Sequence, residues 1–288
     1  MSVFGFGIWP IIAWLLALGL AAGLVRLLVW FRLRRIRLIV EAPYLSAVAQ
    51  SRAVAVPSAS ALFADVRGEP ARRLLRGLVA PGRSPGPASW GAQGWLRYDH
   101  DDHERLVVVR SYGVPGHWWA QIRRVRLRWG GWIDEMHRVE PGRASSDYWW
   151  LGLIRVQPPG VRPSALALEA QALGEAVVTP WVWFTDGWID WDGPQEGVEW
   201  VGRTVPHRHQ VWLGLDALGR PHSIELQDPK SGERVRVEYA GWHWREQSLL
   251  PATLRVVEAA GSVNEFVRME LKLDLAQRAP GAGAEERP

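Results

Sequence analysis

The chain has 288 residues, of which 19 are tryptophan and none is cysteine. A chain of this length can bury a sizeable core, and the absence of cysteine excludes disulfides, thiolate metal sites and a cysteine nucleophile. The net charge is +4, but the first 37 residues hold five arginines and no acidic residue, which leaves 29 basic against 30 acidic side chains in the rest. The folded part is therefore close to neutral, which argues against a nucleic-acid partner.

After a short N-terminal segment at residues 1–7, residues 8–31 predict a transmembrane helix. The run 8–30 is apolar apart from Arg26. As a helix, Trp9 to Trp30 covers roughly 31 Å, close to the hydrocarbon thickness of a bilayer, and the two indoles would lie at the membrane interfaces. A cleaved signal peptide and a buried core helix are the alternatives. Basic residues follow the run instead of preceding it, which favours a membrane span over a signal peptide.

The basic flank RLRRIR, residues 32–37, sets the predicted orientation. The positive-inside rule places such arginines on the cytoplasmic side. We therefore expect a single-pass protein of the cell (inner) membrane, with its N-terminus outside and its large domain in the cytoplasm. A periplasmic domain is the alternative.

Residues 32–94 predict a juxtamembrane basic segment and a linker. Within it, residues 69–79 predict a short helix, because Leu74, Leu75 and Leu78 recur at helical spacing opposite arginines. The Pro- and Gly-rich run at 81–94 predicts a connector.

Alternation with a period of two predicts an antiparallel β domain over residues 95–277. About ten strands are expected, and the clearest is 263–275, where apolar residues alternate with charged ones. Turn residues at 216–219 and 228–232 separate successive strands. The last residues, 278–288, are rich in Pro, Gly, Ala and charge and predict a disordered tail.

One helix is expected inside this sheet, at residues 164–176. Its residues are mostly apolar, Ser164 can cap its first turn behind Pro163, and Pro180 stops it. Beyond it, TPWVWF at 179–184 predicts a strand rich in tryptophan. The fold class is therefore mainly β, with an N-terminal transmembrane helix followed by a large curved antiparallel sheet, or half-barrel, and one interior plug helix.

The segments WLGLIRV (150–156), TPWVWF (179–184) and GVEW (197–200), in this order around the helix, resemble a bacterial family of membrane-anchored proteins of unknown function. The domain of that family is similar to the LolA/LolB-like half-barrel of lipoprotein carriers. The resemblance covers residues 69–275. It implies a curved sheet with a helical plug and an apolar cavity, and it implies no catalytic residue.

Tryptophan is concentrated next to the helix, and we expect part of it to line a ligand site. An indole combines a large apolar area with one N–H group, which suits an amphipathic ligand. Trp181 and Trp183 are expected on one face of a strand. The alternative is a core built from tryptophan, with no ligand. The expected lining residues are Trp181, Trp183, Trp191, Trp212, Leu166 and Leu173.

Two histidine patterns suggest metal chemistry as an alternative. His207 and His209 would share one strand face about 6.5–7 Å apart, and His222 or His243 would have to complete the site. The second pattern is the His/Asp/Glu run at 100–104, which also suits a solvated turn.

The sequence thus predicts a membrane-anchored protein that binds a lipid, an acyl group, a lipidated protein or another apolar ligand between the sheet and the helix at 164–176. No Walker or G-x-G-x-x-G pattern is present, and no catalytic residue and no cofactor are predicted. One alternative is a metal-dependent hydrolase built on the histidines. Another is a structural or interaction protein whose Trp-rich strands form a protein-binding surface. The oligomeric state is not predicted.

Overall fold

The computed structural model describes residues 8–53, 69–79, 88–97, 105–114, 118–128, 130–140, 142–157, 163–184, 188–195, 199–205, 207–245, 248–258 and 263–267. These residues form three α-helices, α1 (Ile8–Ala53), α2 (Glu69–Leu78) and α3 (Ala165–Glu175). The strands β1 to β13, in chain order, are Ala88–Arg97, Arg105–Val114, Trp118–Arg126, Trp132–Glu140, Arg143–Trp150, Ile154–Arg155, Ile189–Gln195, Glu199–Thr204, Gln210–Leu215, Pro221–Gln227, Arg234–Arg245, Ser248–Glu258 and Val263–Val267.

All these strands belong to one antiparallel sheet with the order β6-β5-β4-β3-β2-β1-β13-β12-β11-β10-β9-β8-β7. Each half, β1–β6 and β7–β13, is a meander of neighbouring strands. The halves join where β1 pairs with β13, with Trp95 opposite Glu265. β6 and β7 therefore lie at opposite edges of the sheet although they are consecutive in the chain. The segment that connects them has to cross from one edge to the other, and this segment contains α3.

α3 lies against the inner, concave face of the sheet. It contacts β4 and β5 in one half and β10, β11 and β12 in the other, so the sheet curves around it. Residues 166–175 of the helix are all buried, and they share one core with α2 and with the inward side chains of both halves. The mainly β fold class with one interior helix is confirmed, with thirteen strands where about ten were expected.

Local contacts fix both ends of α3. The Ser164 Oγ accepts a hydrogen bond from the Ala167 amide at 3.1 Å and caps the first turn. Near the other end, Gly174 lets the helix approach β11 closely, because an added Cβ would lie 2.7 Å from the Cγ1 atom of Val237. On the same strand, the Tyr239 hydroxyl donates to the Gly174 carbonyl at 2.9 Å.

The segment after α3 is not the Trp-rich strand predicted from its sequence. Ala176–Val178 and Pro180–Trp183 are 3-10 turns. Proline fixes φ at about −65°, which suits the first position of a helical turn, and Pro180 cannot donate to a strand ladder. The Trp183 indole donates to the Leu173 carbonyl at 2.8 Å and turns the chain back onto α3. Trp181 and Trp183 therefore do not share a strand face.

α1 continues without a break through the predicted span and beyond it. Within Ile8–Ala47 it has a window that is long and apolar enough to cross a membrane, and none of the residues in that window is buried. A signal sequence near an N-terminus meets the same criterion of length and composition.

The C-terminal half of α1 packs on the outer, convex face of the sheet. Tyr44 is buried against Tyr112 of β2, and their ring centroids lie 5.4 Å apart. The Tyr112 hydroxyl donates to Glu41. Nearer the predicted span, the Arg32 guanidinium lies 3.8 Å from the centroid of the Trp149 ring on β5. This part of α1 is thus a packed element of the domain.

α2 packs on the domain through its apolar face. Leu74, Leu75 and Leu78 are buried, and the helix contacts β12. Its arginines point away from this face, and Arg76 lies 3.2 Å from Glu69.

Two strand boundaries differ from the prediction. β1 begins at Ala88, inside the predicted connector at 81–94, because pairing with β2 stabilises small residues that have little strand propensity by themselves. β13 is described over Val263–Val267. The remainder of that predicted strand, the predicted tail at 278–288 and the His/Asp/Glu run at 100–104 lie outside the described residues.

Candidate functional site

Three of the predicted lining residues form the interior behind the candidate site. Leu166 and Leu173 of α3 are buried in the main core. Trp183 is buried as well, and its indole N–H is bonded to the Leu173 carbonyl. The exposure of each is 3% or less. These side chains hold α3 and the turn after it within the sheet.

Trp191 lies on the edge strand β7 and joins Phe184 and Trp200 in a group that we call the aromatic trio. The ring centroids lie 5.7 Å (Trp191–Phe184), 5.9 Å (Trp191–Trp200) and 5.2 Å (Phe184–Trp200) apart. Phe184 and Trp191 are half-buried, whereas Trp200 is buried. The Trp191 indole donates to the Trp183 carbonyl, which attaches the trio to the segment after α3.

Gly202 on β8 makes room for the Trp191 ring. The two residues are opposite each other in the ladder. An added Cβ on Gly202 would lie 2.9 Å from the Cε3 atom of Trp191. An indole that covers a cross-strand glycine is a recurring way to protect a weak point of a sheet, and here it fixes the position of the Trp191 ring.

Trp212 does not join the trio. Val211 and Leu213, its neighbours on β9, belong to the main core. Because side chains alternate along a strand, Trp212 lies on the opposite, outer face. The side chain of Trp181 lies outside the described part of the chain.

His207 and His209 do not lie on a strand, so the predicted shared strand face is wrong. They belong to the turn between β8 and β9, where Arg208 has a left-handed φ of +59° that interrupts the ladder before His209. The two rings still stack, with centroids 5.3 Å apart. The buried His209 has its Nδ1 2.7 Å from the Glu169 Oε2 of α3. Among the described residues, no three His, Asp or Glu side chains gather closely enough to hold a metal ion.

The inner face of β2, β3 and β4 carries a polar group that the sequence did not predict. It connects the sheet to one side of α3, and its members are buried. We call it the interior polar network, and it consists of Ser111, Trp119, Gln121, Arg123, Glu135, His137, Gln171 and Glu175.

Two side chains of α3, Gln171 and Glu175, form the centre of this network. Glu175 accepts hydrogen bonds from the Trp119 indole at 2.9 Å, from the Gln171 amide at 3.0 Å and from the Gln121 amide. Gln171 also donates to the Gln121 Oε1 at 2.9 Å and accepts from Arg123. The polar side of α3 is therefore bonded to β3 through several mutually bonded partners.

Arg123 brings a positive charge into the network. Its Nη1 lies 3.8 Å from the Glu135 Oε2, and the His137 Nε2 lies 3.3 Å from the same oxygen. The other ring nitrogen of His137 lies 2.9 Å from the Ser146 Oγ. Burial, and after it the charge of Arg123, lowers the pKa of His137. Burial raises the pKa of the Glu175 carboxyl, although its hydrogen-bond donors act in the opposite direction.

The other side of α3 makes polar contacts with the second half of the sheet. Glu169 meets His209 at the start of β9, and the Ser164 hydroxyl donates to Glu233 at 2.7 Å. The sequence carried a signal for these contacts. Glu169, Gln171 and Glu175 occur in a helix that is central to the fold, so they need partners inside the sheet.

No family model matches the chain, and no curated protein matches it. Among solved structures it is similar to a domain described as an outer membrane lipoprotein-sorting protein from Vibrio parahaemolyticus, at 15% identity and a TM-score of 0.43, over 67% of this chain and 88% of that one. A DUF1329 family protein from Desulfovibrio piger is similar at 10% identity and a TM-score of 0.45, over 75% and 93%. The LolA superfamily protein NE2245 from Nitrosomonas europaea is similar at 12% identity and a TM-score of 0.37, over 73% and 94%. At these identities the likeness is one of fold alone.

Proposed function

We propose that this protein binds a lipid, an acyl group or another apolar ligand between the curved sheet and α3, and that α1 anchors it in a membrane. The acyl chain of a lipidated protein belongs to the same ligand class. The observation that carries the proposal is the aromatic trio at the β7 edge. Phe184 and Trp191 rest on the main core and still keep part of their surface exposed. An apolar chain that entered the domain would meet this surface first.

The β7 edge suits ligand entry because β6 and β7 are the terminal strands of the sheet. The ring contacts within the trio are aromatic packing, which is non-directional, so an acyl chain can replace them without breaking a hydrogen bond. Behind the trio, Trp183, Leu173 and Leu166 would border the chain. The Trp191 N–H, which now donates to the Trp183 carbonyl, offers a polar contact for the head of an amphipathic ligand.

The anchoring half of the proposal is supported by the surface of α1. The residues of its apolar window are exposed, so this surface needs an apolar environment that the domain does not supply. Trp9 and Trp30 lie at the two ends of the predicted span, and indoles prefer the interfaces of a bilayer. The arginines at 32–37 predict that the domain lies in the cytoplasm.

A dansyl-labelled fatty acid tests the ligand half. The full chain in lipid nanodiscs is titrated with the probe, and the signal of empty nanodiscs is subtracted. We expect saturable dansyl emission from the wild-type protein. Trp191→Ala should bind the probe about tenfold more weakly or worse, because the lost contact of one large aromatic side chain costs roughly 1.5 kcal/mol or more.

Trp244→Ala is the matched control. Trp244 is 59% exposed on β11, so its removal should leave probe binding unchanged. Thermal unfolding of the same variants separates binding from packing. A wild-type protein without saturable signal would contradict the proposed function. If Trp191→Ala binds the probe as well as the wild type does, the trio does not contribute to binding. If this variant loses thermal stability as well as affinity, the trio is part of the hydrophobic core and is not a ligand site.

A further inference from the structure

α1 passes from its apolar window to the outer face of the sheet without a break, so its contacts determine which end of the domain is nearest the bilayer. Arg32 and Leu33 follow within one helical turn of Trp30, which lies at the end of the predicted span. Arg32 lies over the Trp149 ring at 3.8 Å. Leu33 lies over Gly152, where an added Cβ would be 3.2 Å from its Cδ2. Trp149 and Gly152 stand at the end of β5, so this strand end lies at the level where α1 leaves the bilayer.

Farther along, α1 reaches the opposite ends of the strands. Glu41 and Tyr44 meet Tyr112, near the C-terminal end of β2. The distance along the helix axis from Arg32 to Tyr44 is about 18 Å. The strand ends around Trp149 are therefore nearest the bilayer, and those around Tyr112 are farthest from it.

Two neighbouring turns lie at the end of the sheet that is nearest the bilayer. In the ladders, Arg126 of β3 is opposite Trp132 of β4, and Trp149 of β5 is opposite Arg155 of β6. The β3–β4 turn and the β5–β6 turn therefore lie side by side. Arg126, Arg128 and Arg155 are exposed. Next to Arg155 on β6, Ile154 is 53% exposed.

We propose that these turns form a second membrane contact, which rests on the headgroups of an anionic phospholipid bilayer. We call this surface the rim, and it consists of Arg126, Arg128, Trp149, Ile154 and Arg155. The inference rests on the anchoring half of the proposed function. Its partner is the same bilayer that α1 crosses.

The chemistry of the rim fits this partner. Guanidinium groups bind phosphate, and an anionic leaflet attracts basic residues near its surface. An exposed isoleucine and an indole suit the boundary between headgroups and acyl chains. Asp134 lies 2.9 Å from Arg124, outside the rim, whereas Asp147 lies 2.5 Å from Arg155 and offsets the charge of that rim residue. The basic charge of the rim therefore comes mainly from Arg126 and Arg128. α1 adds Arg32, which lies over the Trp149 ring.

The absence of cysteine allows a direct test with single-cysteine variants of the full chain. Ile154→Cys places a fluorophore on the rim. Leu218→Cys is the matched control, because Leu218 is an apolar residue with 75% exposure. The register of the sheet places its turn, between β9 and β10, at the far ends of the strands. Both proteins are reconstituted into vesicles of phosphatidylcholine and phosphatidylglycerol. A headgroup-linked nitroxide lipid serves as the quencher.

We expect the label at 154 to be quenched several-fold more than the label at 218, and Arg126→Gln/Arg128→Gln to reduce that difference. Equal quenching at both sites in vesicles that carry the protein through flotation would overturn the rim and leave the anchor intact. Failure of the protein to float with vesicles would overturn the rim together with the anchor. Binding of the fatty-acid probe is measured independently, so each half of the proposed function can fail separately from the rim.

Discussion

Replacing Gly174 by alanine should destabilise the domain, although alanine is the better helix former. An added Cβ would lie 2.7, 2.8 and 2.9 Å from the Cγ1, Cγ2 and Cβ atoms of Val237, well inside the usual separation of carbon atoms. Val237 is fully buried, and the Gly174 carbonyl is held by Tyr239, so neither side has room to move. Overpacking costs about 1–3 kcal/mol, against a gain of about 1 kcal/mol in helix propensity. The expected net loss is therefore up to about 2 kcal/mol.

Val237→Ala completes a double-mutant cycle for this contact. Alone, it removes two buried methyl groups and should cost about 1–3 kcal/mol. In the double variant, the new methyl at 174 fills part of that space, so the two losses should fall short of their sum by about 1–2 kcal/mol. The assay is thermal unfolding of the full chain in nanodiscs by near-UV circular dichroism, where 1 kcal/mol corresponds to about 2–4 °C. Additive losses, or a Gly174→Ala variant more stable than wild type, would refute the close approach of α3 to β11.

Three further outcomes follow from the polar contacts and the orientation. Burial lowers the pKa of His137 below its ordinary 6.5, so below that pH the unfolded chain binds a proton that the folded state excludes. The free energy of unfolding should fall there by up to about 1.4 kcal/mol per pH unit. Thermal unfolding at a series of pH values measures this loss. The loss should be smaller in His137→Gln and unchanged in the exposed control His243→Gln. Tyr112→Phe, which removes the hydroxyl bonded to Glu41, should cost about 1–2 kcal/mol in thermal unfolding, whereas no change would mean that this contact does not hold α1. A membrane-impermeant maleimide should label Leu218→Cys in inverted membrane vesicles and not in intact cells if the domain is cytoplasmic, and the reverse pattern would place it on the other side.

The fold class could be predicted because its signals are local. Alternation with a period of two marks a strand with one buried face, and Ser164 marks the start of the interior helix. The strand order could not be predicted, because pairing of β1 with β13 joins residues from the two ends of the domain. The segment at 179–184 was predicted wrongly because its aromatic residues favour a strand. Pro180 and the bond from Trp183 to Leu173 make it a helical turn instead.

The candidate site was predicted less completely than the fold. A tryptophan can be assigned to a strand from the sequence, but the sequence pattern does not show whether its side chain lies on the concave or the convex face of the sheet. The inward Trp191 and the outward Trp212 could therefore not be distinguished by their spacing. The interior polar network was missed because Gln121, Arg123 and His137 alternate along strands in the same way as solvated polar residues. Their burial follows from the position of α3, which is a property of the whole chain.

The interior polar network and the aromatic trio also differ in how easily the strands around them can separate from α3. On the β2–β4 side, α3 is bonded through buried groups such as Gln171 and Glu175, and separating them would leave polar atoms without partners in an apolar interior, at a cost of about 1–3 kcal/mol for each group. On the β7 side, the ring contacts of Phe184 with Trp191 and Trp200 are apolar and can be exchanged for those of a ligand. α3 and the first half of the sheet should therefore stay together as one body, while the β7–β8 edge gives way. A ligand that entered would displace this edge and leave the network intact, so probe binding should depend strongly on Trp191 and only weakly on His137→Gln, a substitution within the network.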